Sequence, residues 1–374
     1  MKISSNFDSG NIEVVDAADP TDIKLRIRKD SESDFFQWFH FRATGPADAE
    51  RAFTIVNAGE AAYSKGWEGY QACASYDRED WFRIPTTYDG KQLRFAHVPT
   101  QEAVYYAYFA PYSRERHRDL IARSQMSPRA RLEILGETLD GDDLDLLVIG
   151  DDAAQDRKAC WLIARQHPGE SMAEWWMEGF LERALDRDDA VARAVLDRAV
   201  LYVVPNMNPD GSRRGHLRTN AAGANLNREW AEPSMEKSPE VFLVRQRMVE
   251  RGLDFSLDVH GDEATPYNFV IGSAHVPSAD DRMKSLLPAF KQAYQQANPD
   301  FQTEHGYSAP ANANLAICSS NLAEEFKALT MTLEMPFKDN ADAPDARNGW
   351  SPERCRQLGR DALTALYAVV DDLR

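Results

Sequence analysis

Residues 158–185 read KACWLIARQHPGESMAEWWMEGFLERAL, and their reading decides the fold. The first nine, through Gln166, form a short apolar run with the length and composition of a strand. From Ser171 the period changes. Met172, Trp175, Trp176, Gly179 and Phe180 fall on one side of a helix. Between them lie His167, Pro168, Gly169 and Glu170. Pro, Gly and Glu are ordinary residues for the first turn of a helix. An imidazole and a carboxylate three residues apart can also grip one metal ion from a single turn. H-x-x-E alone is too common to choose between these, so the rest of the chain must decide.

Outward from this stretch, the same alternation repeats. DLDLLVIG (143–150), AVLYVVPNMNPDG (199–211), LDFSLDVHGDE (253–263) and LTMTLEMPF (329–337) read as strands. SRERHRDLIARSQ (113–125) and the run 352–374 read as helices. Strands alternating with helices predict an α/β unit over 116–374 with a mixed central sheet flanked by helices. Residues 1–115 differ. FFQWFHFRATG (35–45), RAFTIVNAG (51–59), LRFAHVP (93–99) and VYYAYFAPYS (104–113) are short aromatic and β-branched runs between Gly, Pro and Asp. They predict an N-terminal antiparallel β-sandwich whose aromatics form its core.

The bulk properties narrow the function. With 374 residues, two domains are expected. A formal charge of −17 argues against nucleic-acid binding and against anionic membranes. No apolar run of about 18 residues predicts a membrane span, and the first residues, MKISSNFDSGNIEVV, lack the apolar core of a secretory signal. Cys73, Cys160, Cys318 and Cys355 are widely spaced. That pattern fits free thiols in a reducing cytoplasm better than a disulfide framework or an all-cysteine zinc site.

Ligands of open α/β sheets bind at the carboxyl ends of strands. Here those exits carry His167 and Glu170, the NMNPDG loop, His260 and Glu334. One polar residue at an exit is ordinary; two His and two Glu are more informative. A catalytic zinc takes three protein ligands and leaves one position open. His167, Glu170 and His260 supply such a set, one zinc per chain, as a close pair and a distant third. Asp258, two residues before His260, shares its strand face and is either a partner for that ring or a solvated strand-end acid. In RRGHLRTNAAGANLNREW (213–230), Asn227 and Arg228 suit a carboxylate clamp, because a guanidinium binds a carboxylate through two hydrogen bonds.

HPGE, then NPDG with a following Arg and NLNR, then DVHG and finally TLEMPF resemble, in that order, the motifs of zinc metallocarboxypeptidases. QWFHFRATG, YDREDWFRIP and VYYAYFAPYS resemble the β-domain that precedes the catalytic domain in the cytosolic carboxypeptidase branch. The resemblance implies His167, Glu170 and His260 as zinc ligands, and Glu334 as the general base. It implies Arg218 as the group that meets the oxyanion, and Asn227 and Arg228 as the grip on the substrate's C-terminal carboxylate. It also implies a tyrosine over the carboxylate site. Tyr307 lies in no motif that anchors it, so it stays outside the set. The substrate would be the C-terminus of a peptide or protein. Members of this branch remove glutamates from acidic tails, and Arg213, Arg214 and His216 could supply positive charge for an acidic residue. Two other readings share the motifs: a zinc amidohydrolase that deacylates an N-acyl amino acid, and an inactive binding module.

Overall fold

The computed structural model describes residues 1–154, 156–308 and 312–374. The N-terminal part holds β1 (Lys2–Ser4), β2 (Glu13–Asp16), β3 (Ile23–Arg26), β4 (His40–Thr44), β5 (Arg51–Ile55), β6 (Ala72–Ser75), β7 (Phe82–Ile84), β8 (Thr86–Tyr88), β9 (Leu93–His97) and β10 (Ala103–Ala107). They form two five-stranded sheets, ordered β1-β4-β10-β6-β7 and β2-β3-β5-β9-β8. Every other side chain of β5 is buried, as the period of a strand requires when one face is covered. Phe53 of β5 meets Phe41 of β4 at 5.4 Å and Tyr106 of β10 at 4.9 Å, ring to ring, so the sheets face one another across an aromatic core. Pairing is antiparallel as expected, except that β3 and β5 run parallel.

The second part comprises α1 (Arg114–Gln125), β11 (Ala130–Glu137), β12 (Asp143–Ile149), β13 (Lys158–Ala164), α2 (Met172–Ala184), α3 (Ala190–Leu196), β14 (Ala199–Val204), α4 (Pro209–Arg214), α5 (Pro239–Arg251), β15 (Phe255–Asp262), β16 (Phe269–Gly272), α6 (Asp281–Ala297), α7 (Cys318–Phe326), β17 (Leu329–Pro336) and α8 (Pro352–Tyr367). Its seven strands are ordered β11-β12-β14-β13-β15-β17-β16. The central four, β14, β13, β15 and β17, are mutually parallel. The outer pairings are antiparallel, which makes the sheet mixed. On β13, Cys160, Leu162 and Ala164 join one core with α2, α3, α6 and α8. Ala159, Trp161 and Ile163 join the other, with α5 and α7. A strand covered on both faces has no polar alternation to show, which is why its sequence is a continuous apolar run.

The chain leaves β13 for β14 on one side and later returns to β15 on the other. The carboxyl end of β13 is therefore the switch point of the sheet, where neighbouring connections diverge and leave a crevice. The N-terminal sheets close over the same edge. Tyr108 stacks on Phe337 at 4.4 Å, and Arg83 donates to the carbonyls of Phe337 and Trp350. All four cysteines are buried and unpaired. Among the described residues, no helix is long and apolar enough to cross a membrane.

A candidate metal centre at the carboxyl edge of the sheet

The turn after β13 is built to present two side chains. Arg165 takes a left-handed conformation, φ 59°, which is costly for a residue with a side chain. Its guanidinium is buried and donates to Glu174 at 2.6 Å, to the carbonyl of Tyr112 at 2.9 Å and to that of Pro168 at 3.0 Å. These bonds hold the bend. The Gly169 N–H then donates to the carbonyl of Leu217, and the Glu170 N–H to that of His167. His167 and Glu170 are thereby turned to the same side. β15 delivers His260, which pairs across the parallel ladder with Glu334 of β17.

One ligand atom from each of His167, Glu170 and His260 lies within 4.8 Å of the others, and all three residues are buried. His167 Nδ1 is 2.7 Å from Glu170 Oε1, and His260 Nδ1 is 2.8 Å from Glu170 Oε2. The far side of each ring is occupied. His167 Nε2 faces Asn225 Oδ1 at 3.0 Å, and His260 Nε2 faces Asp258 Oδ2 at 2.8 Å. Asp258 is thus the partner of the His260 ring and not a solvated acid. Gln166 donates to the same carboxylate oxygen at 2.6 Å, and Trp230 donates to Gln166.

The two rings differ. Burial opposes a charge on His260, but Asp258 and Glu170 outweigh burial and push its pKa well above the usual range, so a cation arriving there would displace a proton. Burial, assisted by Arg218, holds the pKa of His167 down at about 3, so the ring is neutral and can offer a lone pair. Burial alone would raise Glu170, but His167 and His260 outweigh it and keep the carboxylate ionised. Two imidazole Nδ1 atoms and one carboxylate converging in a buried pocket, each imidazole held by an acceptor behind it, are a donor set that fits zinc.

A cavity of about 500 Å³ opens onto these three residues. Its wall includes Glu334, Arg218, Asn227 and Arg228, so every candidate residue comes together there. Burial, with Glu170, Asp262 and Glu263 nearby, pushes the Glu334 carboxyl well above the usual range. Arg218 reaches within 3.9 Å of Glu170, and among the described residues its Nε has no hydrogen-bond partner. The Asn227 Oδ1 accepts from the N–H of Cys318 at the start of α7, which fixes its amide against the cavity. Tyr307 lines the cavity too.

Three residues expected to supply positive charge are held elsewhere. Arg213 and Arg214 bind Asp140, each at 2.6 Å, and His216 accepts from the Ser31 N–H and faces the carbonyl of Thr219. Both guanidiniums are engaged by Asp140, and both ring nitrogens of His216 are occupied. The sequence reading also missed contributors. Tyr63 and Glu263 line the cavity, and Asn225 and Gln166 support the two histidines. Tyr63 lies in the connection between β5 and β6 and carries no motif. Asn225 is the first residue of NLNR and Gln166 directly precedes HPGE, and that proximity is the one signal the sequence offers.

Comparison with known proteins agrees with this geometry. Residues 119–342 match the family profile of zinc carboxypeptidases, and residues 3–109 match that of the cytosolic carboxypeptidase N-terminal domain. The chain is 49% identical to a metallo-carboxypeptidase from Burkholderia cenocepacia, with a TM-score of 0.97 over 99% of each chain. It is 47% identical to one from Pseudomonas aeruginosa, solved in complex with (2-guanidinoethylmercapto)succinic acid, with a TM-score of 0.97 over 100% of each chain. An uncharacterised protein of Zymomonas mobilis is 50% identical, the match covering 100% of this chain and 97% of that one. The chain belongs to the zinc carboxypeptidase family, in its cytosolic carboxypeptidase branch, and is a metallocarboxypeptidase. The similar structures named metallo-carboxypeptidases favour that activity over the amidohydrolase and inactive-module readings.

Proposed function

We propose that His167, Glu170 and His260 hold one zinc ion, and that the surrounding side chains direct hydrolysis of the last peptide bond of a peptide or protein. The observation that carries this is the convergence of the three ligand atoms within 4.8 Å, on a cavity wall shared with Glu334, Arg218, Asn227 and Arg228. Bound zinc would supply Lewis acidity and a water of lowered pKa. The positive charge of a bound ion would offset the burial and neighbouring acids that raise Glu334 and so leave it ionised; as the carboxylate, Glu334 takes a proton from the attacking water and returns it to the leaving amine. Arg218 aims its free Nε donor at the charge that develops on the carbonyl oxygen. Asn227 and Arg228 bind the terminal carboxylate and so fix which bond is cut. The succinic acid derivative carried by the Pseudomonas relative supports a cleft that takes carboxylates.

An acidic C-terminal residue is the side chain we assign to the cavity. Ser319 and Ser320 in the first turn of α7, Thr332 of β17 and His275 line its wall. Hydroxyl donors beside a helix N-terminus favour a carboxylate. The work is divided between residues 1–115 and 116–374, in a protein that acts in the cytoplasm.

A series of peptides differing only in the last residue, each as free acid and as amide, tests the reading. The free acid should be trimmed from its end, fastest with Glu or Asp, and the amide far more slowly. Arg228→Ala should slow the free acid much more than the amide. Equal cleavage of acid and amide, or internal cutting, would show that no clamp operates.

A further inference from the structure

We infer that the turn Asp30–Glu32, between β3 and β4, is a positioning element of the active site, holding the segment from the end of α4 through residue 223 so that Arg218 faces the reacting carbonyl. The inference rests on the role proposed for Arg218.

Asp30 is 3% exposed, and it is surrounded by donors from that loop. Its Oδ1 accepts from the N–H of Leu217 at 2.7 Å. Its Oδ2 accepts from the N–H groups of Arg218 and Thr219 at 2.8 and 2.9 Å, and from the Thr219 hydroxyl at 3.1 Å. Three successive backbone N–H groups converging on one carboxylate form an anion nest, and the nest is centred on Arg218. The contacts continue on either side. The Ser31 N–H donates to His216 Nε2 at 3.0 Å, Asn11 donates to the carbonyl of Gly215 at 2.8 Å, and the Ser9 N–H donates to that of Arg213 at 2.9 Å. Gly223 lies against the carbonyl of Glu32 so closely that a Cβ would sit 2.3 Å from it. The same turn therefore wedges between the segment carrying Arg218 and the one leading to Asn227 and Arg228.

The far end of Arg218 is held as well. Its guanidinium lies 5.1 Å from the ring centre of Tyr63 and 5.8 Å from that of Phe35, both in connections between strands of the N-terminal part. Aromatic faces attract a cation without consuming its N–H donors. The backbone is pinned by a carboxylate, the guanidinium is steered by rings, and its Nε remains free for substrate. Such pinning matters for rate, because displacing a catalytic group by about 1 Å costs on the order of a hundredfold.

Asp30→Asn keeps the shape and places an amide where a second acceptor is needed. In zinc-loaded, folded protein its kcat should fall at least about tenfold, with KM changed by less than about threefold. Its affinity for a phosphonate peptide that mimics the tetrahedral state should fall in step with kcat/KM, while affinity for a product amino acid stays unchanged. In an Arg218→Ala background, Asp30→Asn should change kcat by less than twofold. A variant that loses thermal stability but keeps kcat per zinc-loaded molecule within twofold would reduce Asp30 to a structural tie and overturn the inference. An equal loss of kcat with and without Arg218 would also overturn it. Arg218→Ala alone separates the two levels: unchanged kcat in that variant sinks the role given to Arg218 itself. Should Asp30→Asn not fold, Phe35→Leu decides, with a severalfold fall in kcat at constant KM expected and a kcat within twofold of the parent sinking the claim.

Discussion

His260 is shared between two carboxylates, Glu170 at one ring nitrogen and Asp258 at the other, each 2.8 Å away. The two contacts do different things. Glu170 stands beside the nitrogen that would face the metal, while Asp258 fixes the tautomer and orientation of the ring and makes it a better donor. Asp258 is itself anchored by Gln166, so its position does not depend on solvent. Asp258→Asn keeps the size of the side chain and removes the charge behind the imidazole. Zinc affinity measured by chelator competition should drop about 10- to 100-fold, with the fold intact. Unchanged affinity would mean that Asp258 only fills space. Legibility at this scale followed locality. His167 and Glu170 share one turn, and His260 and Glu334 sit at strand exits, where an apolar run ending in a polar residue marks the site. Whether Arg213 and Arg214 serve the substrate or pair with acids could not be read locally, because their partner, Asp140, lies more than seventy residues upstream.

Among elements, the tightest contact is α2 against α8. A Cβ on Gly179 would lie 2.0 Å from the carbonyl oxygen of Arg356, and one on Gly359 would lie 2.0 Å from that of Trp176. The helices approach backbone to backbone, and the glycines allow it. Gly359→Ala should force them apart, costing about 1–3 kcal/mol and visible as a lowered Tm. A Tm equal to that of the parent would show that α8 can slide without cost. A second joint binds α1, α2 and β12. His117 sits between Glu174 at 2.6 Å and Asp145 at 3.1 Å. Burial opposes its charge, but Glu174 and Asp145 outweigh burial and raise its pKa to about 9. A raised histidine contributes its full stability below its unfolded pKa of about 6.5 and loses it as pH climbs through about 9. Urea unfolding should therefore show stability falling between about pH 6.5 and 9, by up to about 1.4 kcal/mol per pH unit from this group. His117→Gln should flatten that limb, and an unaltered slope would exclude the joint as its cause. The helix and strand periods were readable from sequence, as was the place of Gly179 on the apolar side of α2. The parallel pairing of β3 with β5 was not, because strand direction leaves no mark on local composition.

Across the whole molecule, the three proposed ligands come from two parts of the sheet edge: the turn after β13 and the end of β15. An ion held by both ties those parts together and binds only the folded chain. Free zinc at a hundred times its dissociation constant should add about 2.7 kcal/mol of stability. Chelation should then lower Tm by roughly 3–5 °C, and zinc should restore it. His260→Ala should be indifferent to chelator; a chelator-sensitive Tm in that variant would place the ion elsewhere. The two-part architecture could be read from the change of period near residue 115, but the docking of one part on the other could not. Asp30 meets Arg218 across a gap of 188 residues, and no short motif spans that distance.

Arg83 carries a consequence in time. It is nearly buried, and it is held by the carbonyls of Gln71, Phe337, Asn348 and Trp350. Only the first of these is close to it in sequence; the last is 267 residues further on. At a synthesis rate of about 5–20 residues per second, a ribosome needs roughly 13–53 s to travel from Arg83 to Trp350. N-terminal sheets that form within that interval would do so with Arg83 and the ring of Tyr108 still lacking their partners from the late segment. The nascent chain is therefore most exposed to aggregation and to chaperones before residue 350 emerges, and peptidase activity can arise only after its late segment has closed back on its beginning.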